Sequence, residues 1–351
     1  MKNLYKGLFW ILLVSSSIFT ACETDIDIND EWEEVTIIYG LLNPTDSVQY
    51  IKVNKAFLGE GGAYDYAAIK DSIYHQDSIR VTLTAWDGTI RKKEITLLQD
   101  TSIPKDSGSF SYPDQILYRT PPGDTLNEEY EYELTVTRVE NDELVATAKT
   151  KLIKDFQVAT PSVVSTATIG FADQNKYKLY NVSFVAAENG RLYELVVRFN
   201  YKEVDILSGD TTLHSLEWQA FSKKKAKNEL LDGIENISKK IDGKLFYYLV
   251  NSALEEDENL IRIANTLDFI FYVGGEELST YIDVNNAQSG LTTIKVKPEY
   301  TNVEGGLGIF SSRFQKIIKG KELSNYSIDS LACGSITGKL GFLDSDFETC
   351  N

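Results

Sequence analysis

His75 and His214 are the only imidazoles in 351 residues, and Cys22, Cys333 and Cys350 the only thiols. Any chemistry built on a neutral-pH base or a sulfur nucleophile must use one of these five. A serine triad would need one of the two histidines, and no G-x-S-x-G turn is present. His75 lies in Ser72-Ile73-Tyr74-His75-Gln76-Asp77, which reads as an exposed loop. His214 lies in Leu213-His214-Ser215-Leu216-Glu217-Trp218, where extended backbone sets His214, Leu216 and Trp218 on one face. Both read as structural, and without ligand spacing the histidines and cysteines do not compose a metal site. Asp and Glu total 52, so a chosen carboxylate pair means nothing by itself. Glycoside hydrolysis needs two carboxyls about 5 to 10 Å apart across a cleft, and sequence spacing does not supply that distance. In Val303-Glu304-Gly305-Gly306-Leu307-Gly308-Ile309-Phe310, Ser311 stands where a dinucleotide fingerprint would need its third glycine. The cluster reads instead as a positive-φ turn or a close backbone approach. No catalytic residue, cofactor or metal is expected, and the chain reads as non-enzymatic.

Cys22 has the most specific setting. Lys2 and Lys6 precede an apolar stretch from Gly7 to Phe19, and Thr20-Ala21 stand directly before the thiol. A basic start, an apolar run of about 7 to 15 residues and small residues before the cut describe a secretory signal rather than a spanning helix. Thr20-Ala21-Cys22 resembles the lipobox, at which the cysteine is acylated and residues 1–21 are removed. The expectation is attachment to a membrane through lipid on Cys22. One acyl chain holds only marginally, and the more than one chain of a lipobox modification would hold firmly.

Removing residues 1–21 takes away two lysines and no acid, so a formal charge of -17 becomes -19. A surface this acidic repels phosphate backbones and anionic lipid headgroups, so neither nucleic acid nor peripheral lipid binding is expected. Residues 23–34 hold seven acids in twelve positions. Such a run reads as an extended, solvated tether over residues 22–34. It also resembles the signal that sends Bacteroidota lipoproteins to the outer face of the outer membrane. Asp25, Asp27 and Asn29 begin with EF-hand spacing, but no glycine follows at the sixth position and the twelfth is Thr36. For an exported chain, Cys333 and Cys350 are candidates for a disulfide that pins the C-terminal segment, with two unpaired thiols as the alternative.

The elements that must position these residues are mostly strands. Val35–Leu42, Val48–Val53, Ile79–Trp86, Ile90–Leu98 and Tyr130–Val139 are rich in β-formers, and Asp87-Gly88 reads as a hairpin turn. Residues 35–155 therefore read as an immunoglobulin-like β-sandwich. From 156 to 351 a second β-sandwich-like domain is expected, with strands at Tyr180–Ala187, Leu192–Ile206, Leu267–Val273 and Thr292–Val296. Inserted helices are expected at Lys224–Ile241 and Lys244–Leu254. The fold class is mainly β in two such domains. Twenty tyrosines and four tryptophans are numerous. Aromatic faces bind sugars and peptides, although tyrosine also populates strands for its own sake, and Trp218, Tyr247 and Tyr248 are the ligand-binding candidates. Six Asp-Ser/Thr-apolar or Asp-Thr-Thr sites, at Ser47, Ser72, Ser78, Thr125, Thr211 and Ser330, resemble the O-glycosylation sequon of Bacteroidota envelope proteins. Turn chemistry accounts for the same pairs.

Three stretches carry a wider resemblance: Ile38-Tyr39-Gly40-Leu41-Leu42-Asn43-Pro44, the run from Tyr50 to Gly61 (Tyr-Ile-Lys-Val-Asn-Lys-Ala-Phe-Leu-Gly-Glu-Gly), and the run from Asn302 to Ser312 around the glycine cluster. Together they resemble a family of Bacteroidota envelope lipoproteins defined as a domain of unknown function, often encoded beside TonB-dependent outer-membrane receptors. The resemblance implies an outer-membrane, surface-facing lipoprotein that binds a ligand or serves such a receptor, and it brings no catalytic residues. An adhesin or subunit of a surface assembly is the alternative, and a carboxylate hydrolase a further one. Cells fed a radiolabelled fatty acid are expected to label the wild-type chain and not Cys22→Ala. Intact mass should place the first mature residue at Cys22, and an unlabelled wild type would refute the anchor.

Overall fold

The computed structural model describes residues 34–56, 66–67, 69–108, 113–174, 176–287 and 300–350. Residues 1–21, Cys22, the acidic run as far as Glu33 with Asp25, Asp27 and Asn29, the strand expected at Thr292–Val296, and positions 57–61 of the second family stretch lie outside the described residues. No helix among the described residues is long and apolar enough to cross a membrane. The fold is mainly β, in several sheets.

In the first half, β1 (Val35–Leu42) buries Thr36, Ile38, Gly40 and Leu42 and turns the residues between them to the opposite face. It is followed by β2 (Tyr50–Ala56), a one-turn helix α1 (Lys70–Ile73), β3 (Ile79–Asp87), β4 (Ile90–Thr96), β5 (Leu98–Asp100), β6 (Leu117–Arg119), β7 (Glu131–Arg138) and β8 (Leu144–Lys151). The β3–β4 hairpin turns at Asp87-Gly88, with Gly88 at φ +59°, a left-handed conformation that glycine adopts without cost. The second half contributes β9 (Val158–Thr160), β10 (Ala172–Asp173), β11 (Lys176–Tyr177), β12 (Leu179–Val185), β13 (Leu192–Asp205), β14 (Thr211–Lys225), β15 (Asn236–Asp242), α2 (Gly243–Ala253), β16 (Leu260–Gly274), α3 (Glu276–Ala287), β17 (Val303–Glu304), β18 (Gly306–Glu322) and α4 (Asn325–Cys333).

The main sheet has eight strands in the order β14-β13-β16-β18-β1-β2-β6-β5. A five-stranded sheet, β17-β8-β7-β3-β4, covers one end of it, and a three-stranded sheet, β15-β12-β9, lies over the other with α2 and α4. Two cores result. One gathers Ile38, Ile51, Leu83, Leu134 and Tyr118 from the first half, and the other Phe184, Tyr193, Phe199, Phe269 and Phe271 from the second. In the second, Phe156 makes edge contacts with Phe184, Tyr193, Phe271 and Phe314 at centroid distances of 5.8 to 6.2 Å, the geometry that ring quadrupoles favour.

One strand belongs to both halves. Residues 306–312 of β18 run parallel to β1, from Thr36↔Gly306 to Leu42↔Ser312, and residues 313–322 run antiparallel to β16. Val303 and Phe310, from the region assigned by sequence to a second domain, therefore sit in the first core. The glycines make this approach possible. Gly308 has φ +108°, and a Cβ there would stand 2.0 Å from the Ile38 carbonyl oxygen. At Gly306 it would stand 2.5 Å from the Thr36 oxygen.

The helix expected at Lys224–Ile241 is not formed. Its first residues end β14, Leu231 and Gly233 take positive φ in a turn, and β15 pairs antiparallel with β12. Ile237 and Ile241, four apart, satisfy a helical repeat and twice a strand repeat alike, and pairing with β12 decides between them. Lys223, Lys224 and Lys225 accordingly end a strand rather than begin a helix. The second expected helix is α2, with Asp242 as its N-cap accepting from the Lys244 N–H.

Gly308→Ala should therefore break the β1–β18 seam, while Gly320→Ala, at φ +70° in open space, should meet backbone strain alone. In urea titration the first is expected to cost at least about 3 kcal/mol and the second about 1 kcal/mol. Equal costs would refute the close-approach account.

Candidate functional site

The outer face of the main sheet, away from both cores, forms a cleft of about 480 Å³ where the two halves meet. Strand alternation supplies its floor: Leu41 of β1, Leu192 and Glu194 of β13, Tyr272 of β16, and Arg313 and Gln315 of β18. Leu278 and Ile282 of α3 form one wall and the turn from Asn43 to Asp46 the other. Both walls are fixed. The Gly275 N–H donates to the Ser312 carbonyl (3.0 Å), Leu278 N–H to Ser311 Oγ (3.3 Å), and Ser311 Oγ to Glu277 Oε2 (2.8 Å), so α3 starts pinned to β18. Burial raises the Glu277 carboxyl above its ordinary range. In the turn, Asn43 Nδ2 donates to Asp46 Oδ1 at 2.8 Å while Gln49 bonds the Asn43 backbone at both ends. Arg313 Nη2 then donates to Asp46 Oδ2 at 3.0 Å, an ion pair between the halves. The size and the apolar lining with few polar groups suit a small ligand.

A second, polar cleft of about 440 Å³ contains Glu133, Glu277, Glu304, Lys149, Tyr300 and Asn302. Two of its three acids are engaged internally: Glu133 receives Trp86 Nε1–H (2.9 Å) and faces Lys149 (3.3 Å), and Glu277 receives Ser311. Asn302 is bonded to both backbone groups of Phe310.

The residues singled out in the sequence are dispersed. Trp218 and Tyr247 are core residues, 6% and 0% exposed, so they present no ligand face; Tyr247 donates its hydroxyl to the Ser327 carbonyl at 3.1 Å. Tyr248 is half exposed on α2, with Lys244 Nζ 5.4 Å from its ring centroid. Ser47, Ser78, Thr125 and Thr211 are exposed and Ser72 half-buried. Ser330 is buried, with its hydroxyl donating to the Tyr326 carbonyl at 2.8 Å, so the folded chain offers no acceptor there. Cys333 and Cys350 are joined as a disulfide. His214 is exposed on β14, stacked on Tyr201 and 3.2 Å from Glu203 Oε2. Among the described residues no group of three or more His, Cys, Asp or Glu is placed to hold a metal ion.

His75 is not in an exposed loop. Ile73 and Tyr74 bury beside it and draw the ring inside, leaving it 3% exposed. Nε2 lies 3.3 Å from Thr36 Oγ1 and Nδ1 3.4 Å from Glu34 Oε1, and Glu34 also faces Arg138 (3.5 Å) and Lys55 (3.8 Å). The cleft residues Leu192, Glu194, Tyr272, Leu278, Ile282 and Arg313 were not singled out in the sequence. The one available signal was alternation in the expected strand at 192–206, which puts Leu192 and Glu194 opposite the core.

Compared with known proteins, the chain matches no family model and no curated sequence. Among solved structures, the C-terminal globular domain of an oligosaccharyltransferase from Pyrococcus abyssi aligns at 12% identity with a TM-score of 0.23, over 65% of this chain and 45% of that one. The chain thus spans less than half of that structure, and a score this low establishes no shared fold.

Burial, followed by the charges of Lys55 and Arg138, pushes the His75 imidazole down to about 4, against the opposing pull of Glu34 and the Asn54 backbone. The unfolded chain takes up this proton near 6.5 and the folded one only near 4, so stability falls as pH drops through that window. The stability advantage of wild type over His75→Gln should shrink by on the order of 3 kcal/mol between pH 7 and pH 4 in chemical denaturation. Parallel pH curves for the two proteins would refute the buried-neutral assignment.

Proposed function

We propose that this chain is a lipid-anchored, non-enzymatic binding protein of the outer membrane, facing the cell exterior and serving a TonB-dependent nutrient receptor. The cleft at the junction of the two halves carries the proposal, because it is preformed, mixed apolar and polar, and built from both halves at once. The lipobox-like Cys22 and the acidic run behind it support the location, and the Cys333–Cys350 bridge agrees with an oxidising compartment. The three stretches that resemble the Bacteroidota lipoprotein family support the receptor context. The internal engagement of Glu133 and Glu277 in the second cleft favours binding over hydrolysis by that pair. For the first half, the five-stranded sheet facing β1, β2, β6 and β5 supports an immunoglobulin-like sandwich.

Protease added to intact cells should degrade the protein, and affinity capture from detergent-solubilised membranes should recover an outer-membrane receptor. Protection from protease together with capture of no envelope partner would refute the surface-accessory reading.

A further inference from the structure

Among the described residues, the charges that line or flank the junction cleft are closed in pairs with one exception. Arg313 is held by Asp46, itself fixed by Asn43. Arg191 is paired with Glu276, and Lys225 with Asp283, on the near side of α3. Arg198, farther along the outer face of β13, is taken by Glu217 at 2.8 Å. Glu194 meets only the neutral amide of Gln219. The cleft therefore presents, among the described residues, one uncompensated negative charge in its floor beside the apolar Leu192, Leu278 and Ile282. Glu194 stands directly opposite Tyr272 in the β13–β16 register, and Tyr272 is 40% exposed. Cross-strand neighbours in register have Cβ atoms about 5 Å apart, so a cation bound to the Glu194 carboxylate would also reach the tyrosine ring, which attracts positive charge. Leu192, Leu278 and Ile282 would cover an aliphatic or aromatic body beside it.

We propose that this cleft selects small cationic amphipaths, an amine on an apolar body, with Glu194 and Tyr272 holding the charged end and Leu192, Leu278 and Ile282 the apolar one. This rests on the reading of the cleft as the ligand site and adds the chemical class of the ligand. An anionic ligand is disfavoured because the charge of Arg313, the cation in the lining, is already neutralised by Asp46, while Glu194 would repel a second anion.

Ligand-observed NMR titration of the full chain in nanodiscs with 4-phenylbutylamine, 4-phenylbutanol and 4-phenylbutyrate tests the proposal. The amine should bind at least about tenfold more tightly than the acid, a difference of about 1.4 kcal/mol. Glu194→Gln should remove the amine's advantage and leave the alcohol unchanged, and Ile282→Arg should weaken all three, with circular dichroism and thermal midpoints showing that both variants are folded. Equal affinity of amine, alcohol and acid, with Glu194→Gln silent and Ile282→Arg still blocking, would overturn the charge selection while sparing the cleft. Binding of none of the probes to wild type, or binding untouched by Ile282→Arg, would overturn the proposal and count against the cleft as well.

Discussion

The parallel seam between β1 and β18 is the constraint on which the structure depends. Backbone there comes close enough that only glycine fits, at Gly306 against Thr36 and at Gly308 against Ile38. Residues 270 positions apart are paired by it. Without it the main sheet would part between β1 and β18, Phe310 would leave the first core, and α3 would lose its fastening through Ser311 and Ser312 to a strand held by both halves. Ser312 serves both sides at once: its hydroxyl donates to the Leu42 carbonyl (3.2 Å) and accepts from the Ile153 N–H (3.0 Å). Two cores and one cleft follow from a single strand that changes partner halfway along.

Local chemistry made part of this fold legible. Apolar alternation marked β1 and β13 at or within a residue of their observed ends, Asp87-Gly88 marked the hairpin, and the length of the apolar run after Asp242 marked α2. Where two periods coincide, as at Ile237 and Ile241, only the neighbouring strand could decide, and sequence has no access to it. β18 was obscured because glycines, adjacent serines and an arginine interrupt its pattern, although the glycine cluster was correctly read as a close approach. β8 and α4 also went unmarked, and the Ser324 cap of α4, which accepts from the Ser327 N–H, is a signal that was there to be used.

The cleft was less legible than the fold. Its lining comes from five regions of the chain, in residues that are unremarkable one by one: a leucine, a tyrosine on a strand, an arginine after two serines. The aromatic residues that looked most suited to ligand contact, Trp218 and Tyr247, are instead among the side chains that fill the second core. Aromatic side chains bury so much area that the core claims them first. His75 shows the same bias in reverse: its polar neighbours Gln76 and Asp77 suggested solvent, while Ile73 and Tyr74 carried it inside.

The placement of Val303 and Phe310 in the first core has a consequence for how the chain reaches its native state. Synthesis delivers the first 150 residues long before these two, so the first half meets its missing wall last. Until then the first half is open along β1, an unpaired strand edge of the kind that invites association with other chains. Long-range parallel pairing is also intrinsically slow to form. The nascent first half is thus exposed to association until β18 arrives, and a truncation anywhere before Gly306 removes the strand that closes it.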